Sequence, residues 1–234
     1  MEGYNRIVVG AGPRGTRIIE LRSGGPLALF PTCSAEVTLV AAAGGPVGGD
    51  RVVLDIEVGL DSELTIRSAG ASVLLGGAEP SCMLVRASVA GTLRWLVEPT
   101  IATACANHDA DTRIWLTDEA SLCWQDEAVF GRTGEEAGSC QLGLSVDRGG
   151  RPLLRHRVEV GSPGWDGPAQ LAGHRALATV LVVGEDEAIL GRPPEPSDRR
   201  ARLDLEDGAS LLTAVGDDLT EARSHMRRLL PPEA

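Results

Sequence analysis

The strongest constraint in this chain is an apolar side chain at every second position, repeated in short runs along most of its length. In 51–58, Val52, Leu54, Ile56 and Val58 share one parity, while Arg51, Asp55 and Glu57 hold the other. In 63–68, Leu64 and Ile66 alternate with Glu63, Thr65 and Arg67. Val37 and Leu39 alternate with Glu36 and Thr38, and Leu142, Leu144 and Val146 share a parity further on. Successive side chains of a strand point to opposite faces. This period therefore sets one face on a core and leaves the other for solvent or a partner. A helix would scatter the same residues around its surface.

Glycine separates the runs, at Gly44-Gly45-Pro46, Gly48-Gly49-Asp50, Gly59-Leu60-Asp61, Gly76-Gly77 and Gly149-Gly150. Short glycine-bearing links predict hairpins and antiparallel sheets, layered or helically wound. Asp147–Arg151 reads as a turn between 141–146 and 153–160. Helical spacing is confined to the end, where Leu219, Ala222, Met226, Leu229 and Leu230 line up. Asp217 or Asp218 can cap that helix, Arg227 and Arg228 suit its last turn, and Pro231-Pro232 end it. A weaker pattern in 199–207 allows a second short helix. The expectation is a mainly β chain of one domain, 1–234. Its β-rich body covers about 1–190, a proline-rich loop covers 192–200, and a small C-terminal section holds the helix at about 217–230.

The chain's 234 residues allow one sizeable core. A formal net charge of −11 disfavours nucleic acid, whose phosphates need a basic surface, and an anionic membrane. No apolar run reaches the roughly 18 residues that span a bilayer. The N-terminus carries Glu2 and lacks a long apolar segment, so a cytoplasmic location is expected. All 22 basic residues are arginine, which removes the phosphate-binding Walker lysine and every lysine base or Schiff base. The five cysteines, Cys33, Cys82, Cys105, Cys123 and Cys140, form no C-x-x-C pair. They predict free, buried thiols in a reducing compartment rather than disulfides or a zinc ribbon.

Gly10-Ala11-Gly12-Pro13-Arg14-Gly15 matches G-x-G-x-x-G directly after Ile7-Val8-Val9. A dinucleotide site needs a helix to begin there and pack on a sheet. Only Thr16–Ser23 precede the next glycine pair, and they read as well as a strand, so a glycine-rich hairpin is the expectation. The nucleotide-cofactor enzyme stays as the minor alternative. Cys105, His108, Asp109 and Asp111 group soft and hard donors in one stretch, although no second His or Cys follows at metal-ligand spacing. His156 shares its parity with Leu154, Val158 and Val160, which predicts an inward imidazole with its hydrogen bonds satisfied. Asp126 and Glu127 are adjacent on a strand, so they face opposite ways and cannot form a catalytic carboxylate pair unaided. No readable motif argues for an enzyme.

The order of motifs carries more than any one of them. Gly25–Pro31 precedes Glu36–Val40, then Gly44–Asp50 and Leu54–Gly59. Leu64–Ala71, Trp95–Ile101, Glu127–Arg132 and Gly150–Arg155 follow. This series, over roughly residues 17–230, resembles the urease accessory protein family UreD, also called UreH. The resemblance implies a mostly β, non-enzymatic chaperone of urease maturation. It implies binding to UreF-like and UreG-like accessory proteins and to apo-urease, and help in delivering nickel. It implies no tightly bound cofactor, only transient Ni²⁺ within a passage through the protein. On matching positions, Asp50 is a candidate for that passage or for fixing a turn, with Cys105 and His108 as further metal candidates. Glu98, Glu127 and Arg132 are candidates for partner contact, Arg132 also for pairing with Glu127. A generic β-rich adaptor without a metal role is the alternative. Gly70–Gly77 is apolar where the family carries polar residues, and the chain ends soon after its last helix, which suggests a trimmed partner surface.

Overall fold

The computed structural model describes residues 1–161, 165, 167, 170–184, 190, 195 and 197–230. The polar loop expected at 192–200 lies outside the described residues at 192–194 and 196. Two sheets face each other. The first orders seven strands as β14 (Arg151–Val160), β13 (Ser139–Arg148), β11 (Asn107–Leu116), β8 (Ser81–Val89), β5 (Arg51–Val58), β1 (Glu2–Gly12) and β2 (Gly15–Arg22). The second orders β16 (Arg200–Leu205), β17 (Ala209–Gly216), β15 (Ala176–Val183), β12 (Ser121–Phe130), β9 (Thr92–Leu96), β6 (Glu63–Ser68), β4 (Glu36–Ala41) and β3 (Leu27–Cys33). Two short strands, β7 (Ser72–Leu74) and β10 (Thr100–Ala102), extend it beside β12. The runs at 51–58 and 63–68 are β5 and β6 with their expected bounds.

The mainly β expectation holds, but its antiparallel hairpins are corrected. From β4 to β13 the chain crosses between the sheets and lays each new strand parallel to the one before. Glu36 pairs with Thr65, Glu63 with Thr92 and Thr92 with Ser121, a step of 29 residues each time. Ser72, Thr100 and Ala128 stack at a step of 28. This is a β-solenoid. Glycine links such as 59–62 are therefore corners between sheets rather than hairpin turns. At one such corner the Thr92 N–H donates to the Ser62 carbonyl and the Ser121 N–H to the Gly91 carbonyl, so turns stack on turns. A Cβ on Gly91 would overlap the Ser62 carbonyl oxygen, which is why glycine stands there.

Among the described residues, hairpins occur only where the winding starts and stops. The Gly10–Gly15 loop closes the β1–β2 hairpin, with Gly12 opposite Gly15, and no helix begins there. The helix that a dinucleotide site needs is thus missing at this loop, and the cofactor alternative falls with it. Gly149 and Gly150, at φ 55° and 75°, make the two-residue β13–β14 turn that strand twist favours. The weak pattern at 199–207 is a strand, β16, rather than a second helix.

The main core lies between the sheets, built from Leu54, Ile56, Val85, Ala87, Ile114, Leu144, Leu64, Ile66, Trp95 and Trp124. A second layer lies outside the second sheet. There Ala176, Ala178, Val180 and Val182 of β15 pack under Ala222 and Met226 of helix α1 (Leu219–Arg227). Every residue of β15 is therefore buried. The outer face of the first sheet has no such cover and carries ion pairs instead, including Arg6–Glu57 at 2.9 Å and Arg86–Asp55 at 2.6 Å. Of the cysteines expected to be buried, only Cys140 is; Cys33 and Cys105 are exposed, and Cys82 and Cys123 are intermediate. Among the described residues no helix is long and apolar enough to cross a membrane.

Candidate functional site

The second sheet splits partway along its strands. β6 stops at Ser68 and β7 begins at Ser72; β9 stops at Leu96 and β10 begins at Thr100. β12 runs across both halves without a break. Its Ser121–Gln125 pair with β9 and its Ala128–Phe130 with β10, which leaves Asp126 and Glu127 unpaired on that side. Two carboxylates thus sit on the two rungs where the sheet opens.

A cavity of about 400 Å³ lies behind this break, between the sheets. Trp95, Trp124 and Leu177 wall it from one sheet, and Met83, Val85, Leu142 and Leu144 from the other. Ala110 and Ala128 are too small to fill the space between them. Thr112, Asp126, Glu127, His156 and Thr179 interrupt this apolar lining, with Asp126 opposite Thr179 in register. The rim is formed by Ser68–Ser72, Glu98 and Thr100.

Asp126 shares the inner parity of β12 with Trp124 and Ala128. Its Oδ2 accepts a hydrogen bond from Trp124 Nε1 at 2.7 Å. Burial pushes its carboxyl up to about 6, because the charged form loses water, while the hydrogen bond from Trp124 partly offsets that. Trp124 stacks on Trp95 with ring centroids 4.4 Å apart and planes within 4°. Trp95 Nε1 and His156 Nε2 are buried without a hydrogen-bond partner. His156 therefore faces inward as expected but is not satisfied as expected. Burial also lowers its pKa, so the ring is neutral at pH 7. The chamber offers one carboxyl that ionises near neutrality and one neutral imidazole. Among the described residues no three His, Cys, Asp or Glu side chains come close enough together to hold a metal ion.

Glu127 points the other way, toward α1. Arg223 grips it with Nε at 2.9 and 3.0 Å from its two oxygens and Nη2 at 2.5 Å. The same Nη2 reaches Glu98 at 3.5 Å. These hydrogen bonds, first of all that to Glu127, raise the guanidinium pKa above its ordinary value. Asp218 caps α1 by accepting the Glu221 N–H at 2.8 Å, which fixes where the helix starts and so where Arg223 stands.

The six positions singled out in the sequence divide between different places. Glu98 and Glu127 come together through Arg223. Arg132 does not pair with Glu127; it lies beside Glu135, 3.7 Å away, past the end of β12. Asp50 is buried, with Oδ1 on the N-terminal ammonium at 2.5 Å and Oδ2 accepting the Val47 N–H at 2.9 Å. Those two bonds, the ammonium first, hold its pKa below the usual carboxylate range. His108 is buried on the inner face, its Nδ1 2.7 Å from Ser81 Oγ, and burial lowers its pKa to about 4. Its register neighbour Cys140 is pushed up to about 12 by burial, so the thiol stays protonated. Cys105 is exposed in the link before β11.

Asp50 makes a testable case. Asp50→Asn should cost about 1.5–3 kcal/mol at neutral pH, the worth of hydrogen bonds to a charged group. A carboxylate with a lowered folded pKa contributes stability above its unfolded pKa and loses it as pH falls through the folded one. The difference between the two proteins in urea unfolding should accordingly shrink below about pH 4. A difference that stays constant to pH 2 would show that the charge does nothing.

Read from the sequence, Asp126 is only half of an impossible catalytic pair, and neither Arg223 nor the Trp95–Trp124 stack stands out. One signal was present: Asp126 is a carboxylate on the apolar parity of its own strand. Arg223 gave none, because its partner lies 96 positions away.

A family model described as UreD urease accessory protein matches residues 1–230. The urease accessory protein UreD of Streptomyces avermitilis is 37% identical over 223 residues, covering 89% of this chain and 88% of that protein. UreD 3 of Streptomyces griseus is 36% identical over 225 residues, covering 88% and 86%. UreD of Frankia alni is 34% identical over 277 residues, covering 99% and 93%.

Proposed function

The chain belongs to the family of UreD urease accessory proteins, and from that premise we propose that it is a non-catalytic scaffold which binds the other accessory proteins and apo-urease and assists nickel transfer. Family membership supports a part in urease maturation. The partners are UreF-like and UreG-like proteins in the cytoplasm, with nickel as cargo rather than a resident cofactor.

The observation that carries the nickel reading is the cavity at the split in the second sheet. Its polar lining is sparse. With Glu127 and Glu98 engaged by Arg223, the carboxyl of Asp126, backed by a neutral imidazole and two hydroxyls, binds a borderline divalent cation weakly and releases it readily, where a closed set of thiolates or imidazoles would keep it. Asp50 and His108 do not line this cavity, whereas Asp126 does, so Asp126 is the better group to test for metal passage. Glu98 and Arg132 each keep about half of their side-chain surface exposed (52%) and remain open to a partner. Glu127, at 7% exposure, acts within the fold.

The test uses cells that carry the whole urease system. Deleting this chain should leave urease protein present but inactive, and resupplying it should restore activity. The tagged chain should co-purify with the UreF-like and UreG-like proteins and with apo-urease. Full urease activation in the deleted cells would overturn the proposal.

A further inference from the structure

We infer that Arg223 is a latch: by bridging Glu127 of β12 and Glu98 of the β9–β10 link, it pins the rim at the split in the second sheet and restricts entry to the inter-sheet cavity on that side. Three observations meet here. The rim of the cavity is built from the strand ends at the split, Ser68–Ser72, Glu98 and Thr100. The two β12 residues at the split lack ladder partners on that side; the Ser72 N–H donates to the Pro99 carbonyl and the Glu98 N–H to Ser68 Oγ, and neither bond reaches β12. Arg223 supplies the missing tie from outside, with three contacts to Glu127 at 3.0 Å or less and one to Glu98.

The parts differ in how firmly they are held. The Glu127 side chain is 5% exposed, whereas Arg223 keeps 38% and Glu98 52%. The inner end of the latch is therefore fixed by burial and the outer end is reachable from solvent. α1 rests on the fold through Ala222 and Met226 and is tied further by Arg199 to Glu221 and by His225 Nδ1 to the Val215 carbonyl at 2.9 Å; Arg223 is the side chain that ties it to Glu127 and Glu98 at the split. Arg223 touches neither Asp126 nor the tryptophans. It is a positioning residue that controls access to them.

Trp95 and Trp124 line the cavity and report on it directly. In a Trp115→Phe, Trp165→Phe background these two indoles supply the fluorescence, and acrylamide quenching measures how easily a small neutral solute reaches them. Arg223→Met should raise the quenching constant by at least about twofold through local opening. Arg223→Lys keeps the charge but loses the two-oxygen grip, and should fall between. Leu116→Ala, a buried truncation away from the cavity wall, lowers stability without touching the latch and should leave quenching unchanged. If Arg223→Met alone is too unstable to measure, Glu127→Gln with Arg223→Met removes both charges together and decides in its place. Unchanged quenching in a folded latch variant, or an equal rise in Leu116→Ala, would overturn the latch.

The biological weight of the latch rests on the proposed nickel transfer. The quenching experiment contains no metal and no urease, so its failure overturns the latch and leaves that proposal standing. Failure of the intact chain to support urease activation overturns the proposal and leaves the latch.

Discussion

Trp124→Ala should lower stability by about 3–5 kcal/mol, the cost of truncating a buried aromatic, and fall near the upper end of that range. Trp124 is 1% exposed and stacks on Trp95. Its removal takes away the stack, the hydrogen bond to Asp126 and the area it buries. The site cannot collapse to compensate, because it already borders a cavity. Urea unfolding should show a lower midpoint with an unchanged slope. Trp124→Phe keeps part of the stack and loses the N–H with the second ring, so its cost should be smaller than that of the alanine variant. A loss below about 1 kcal/mol for the alanine variant would mean that the indole pair is not a structural wall of the cavity.

Asp126→Asn should do the opposite and stabilise the protein at neutral pH. Burial raises the Asp126 pKa to about 6 in the folded state, above the unfolded value of 3.8. A group raised in this way favours folding below its unfolded pKa and loses that contribution as pH climbs through the folded one. The shift of about two units corresponds to at most about 3 kcal/mol. Measured as variant minus wild type, stability should be level below about pH 4, rise between pH 4 and 6, and stay flat above. The amide oxygen still accepts from Trp124, so the stack is kept. Other titrating groups, including Asp50 and His108, are common to both proteins and cancel. A pH-independent difference would show that Asp126 is not a strained carboxylate. Proteins keep such costs where function needs them. The proposed role then predicts that the more stable variant activates urease less well in cells.

How much of this the sequence revealed depends on what covers each strand. Alternation located β4, β5 and β6 almost to the residue and the middle of β13, and the glycine pair gave the β13–β14 turn. It could not give their direction. Parallel strands usually read as continuous apolar runs because helices cover both of their faces. Here the pattern is inverted. β5, β8 and β11 are parallel yet alternate, since the outer face of their sheet is open. Antiparallel β15, Ala176–Val183, is the continuous run, since α1 covers it. Pattern follows coverage, and pairing direction leaves no mark of its own. The 29-residue step was hidden for a related reason. Corners need only a residue that fits, such as Gly91, and inner positions need only apolar bulk, so the circuits share geometry without sharing sequence. Of the site, the inward His156 and the opposed Asp126 and Glu127 were legible from parity alone. The split that gives them a purpose depends on where β9 and β10 stop, and that is settled by contacts between circuits.

The even step between circuits also bears on how the chain assembles. Loop-closure entropy depends on length only logarithmically, so each added circuit meets nearly the same barrier as the last. The chain can wind from the β1–β2 end in near-equal increments, each seeded by the strand already in place. While it does so, both sheets present a bare parallel edge that would accept a strand from a neighbouring molecule as readily as its own next one. β14 on one sheet and the β15–β17–β16 set on the other are the elements that end this exposure. Losing them would leave a template, so aggregation during synthesis is the hazard most specific to this architecture.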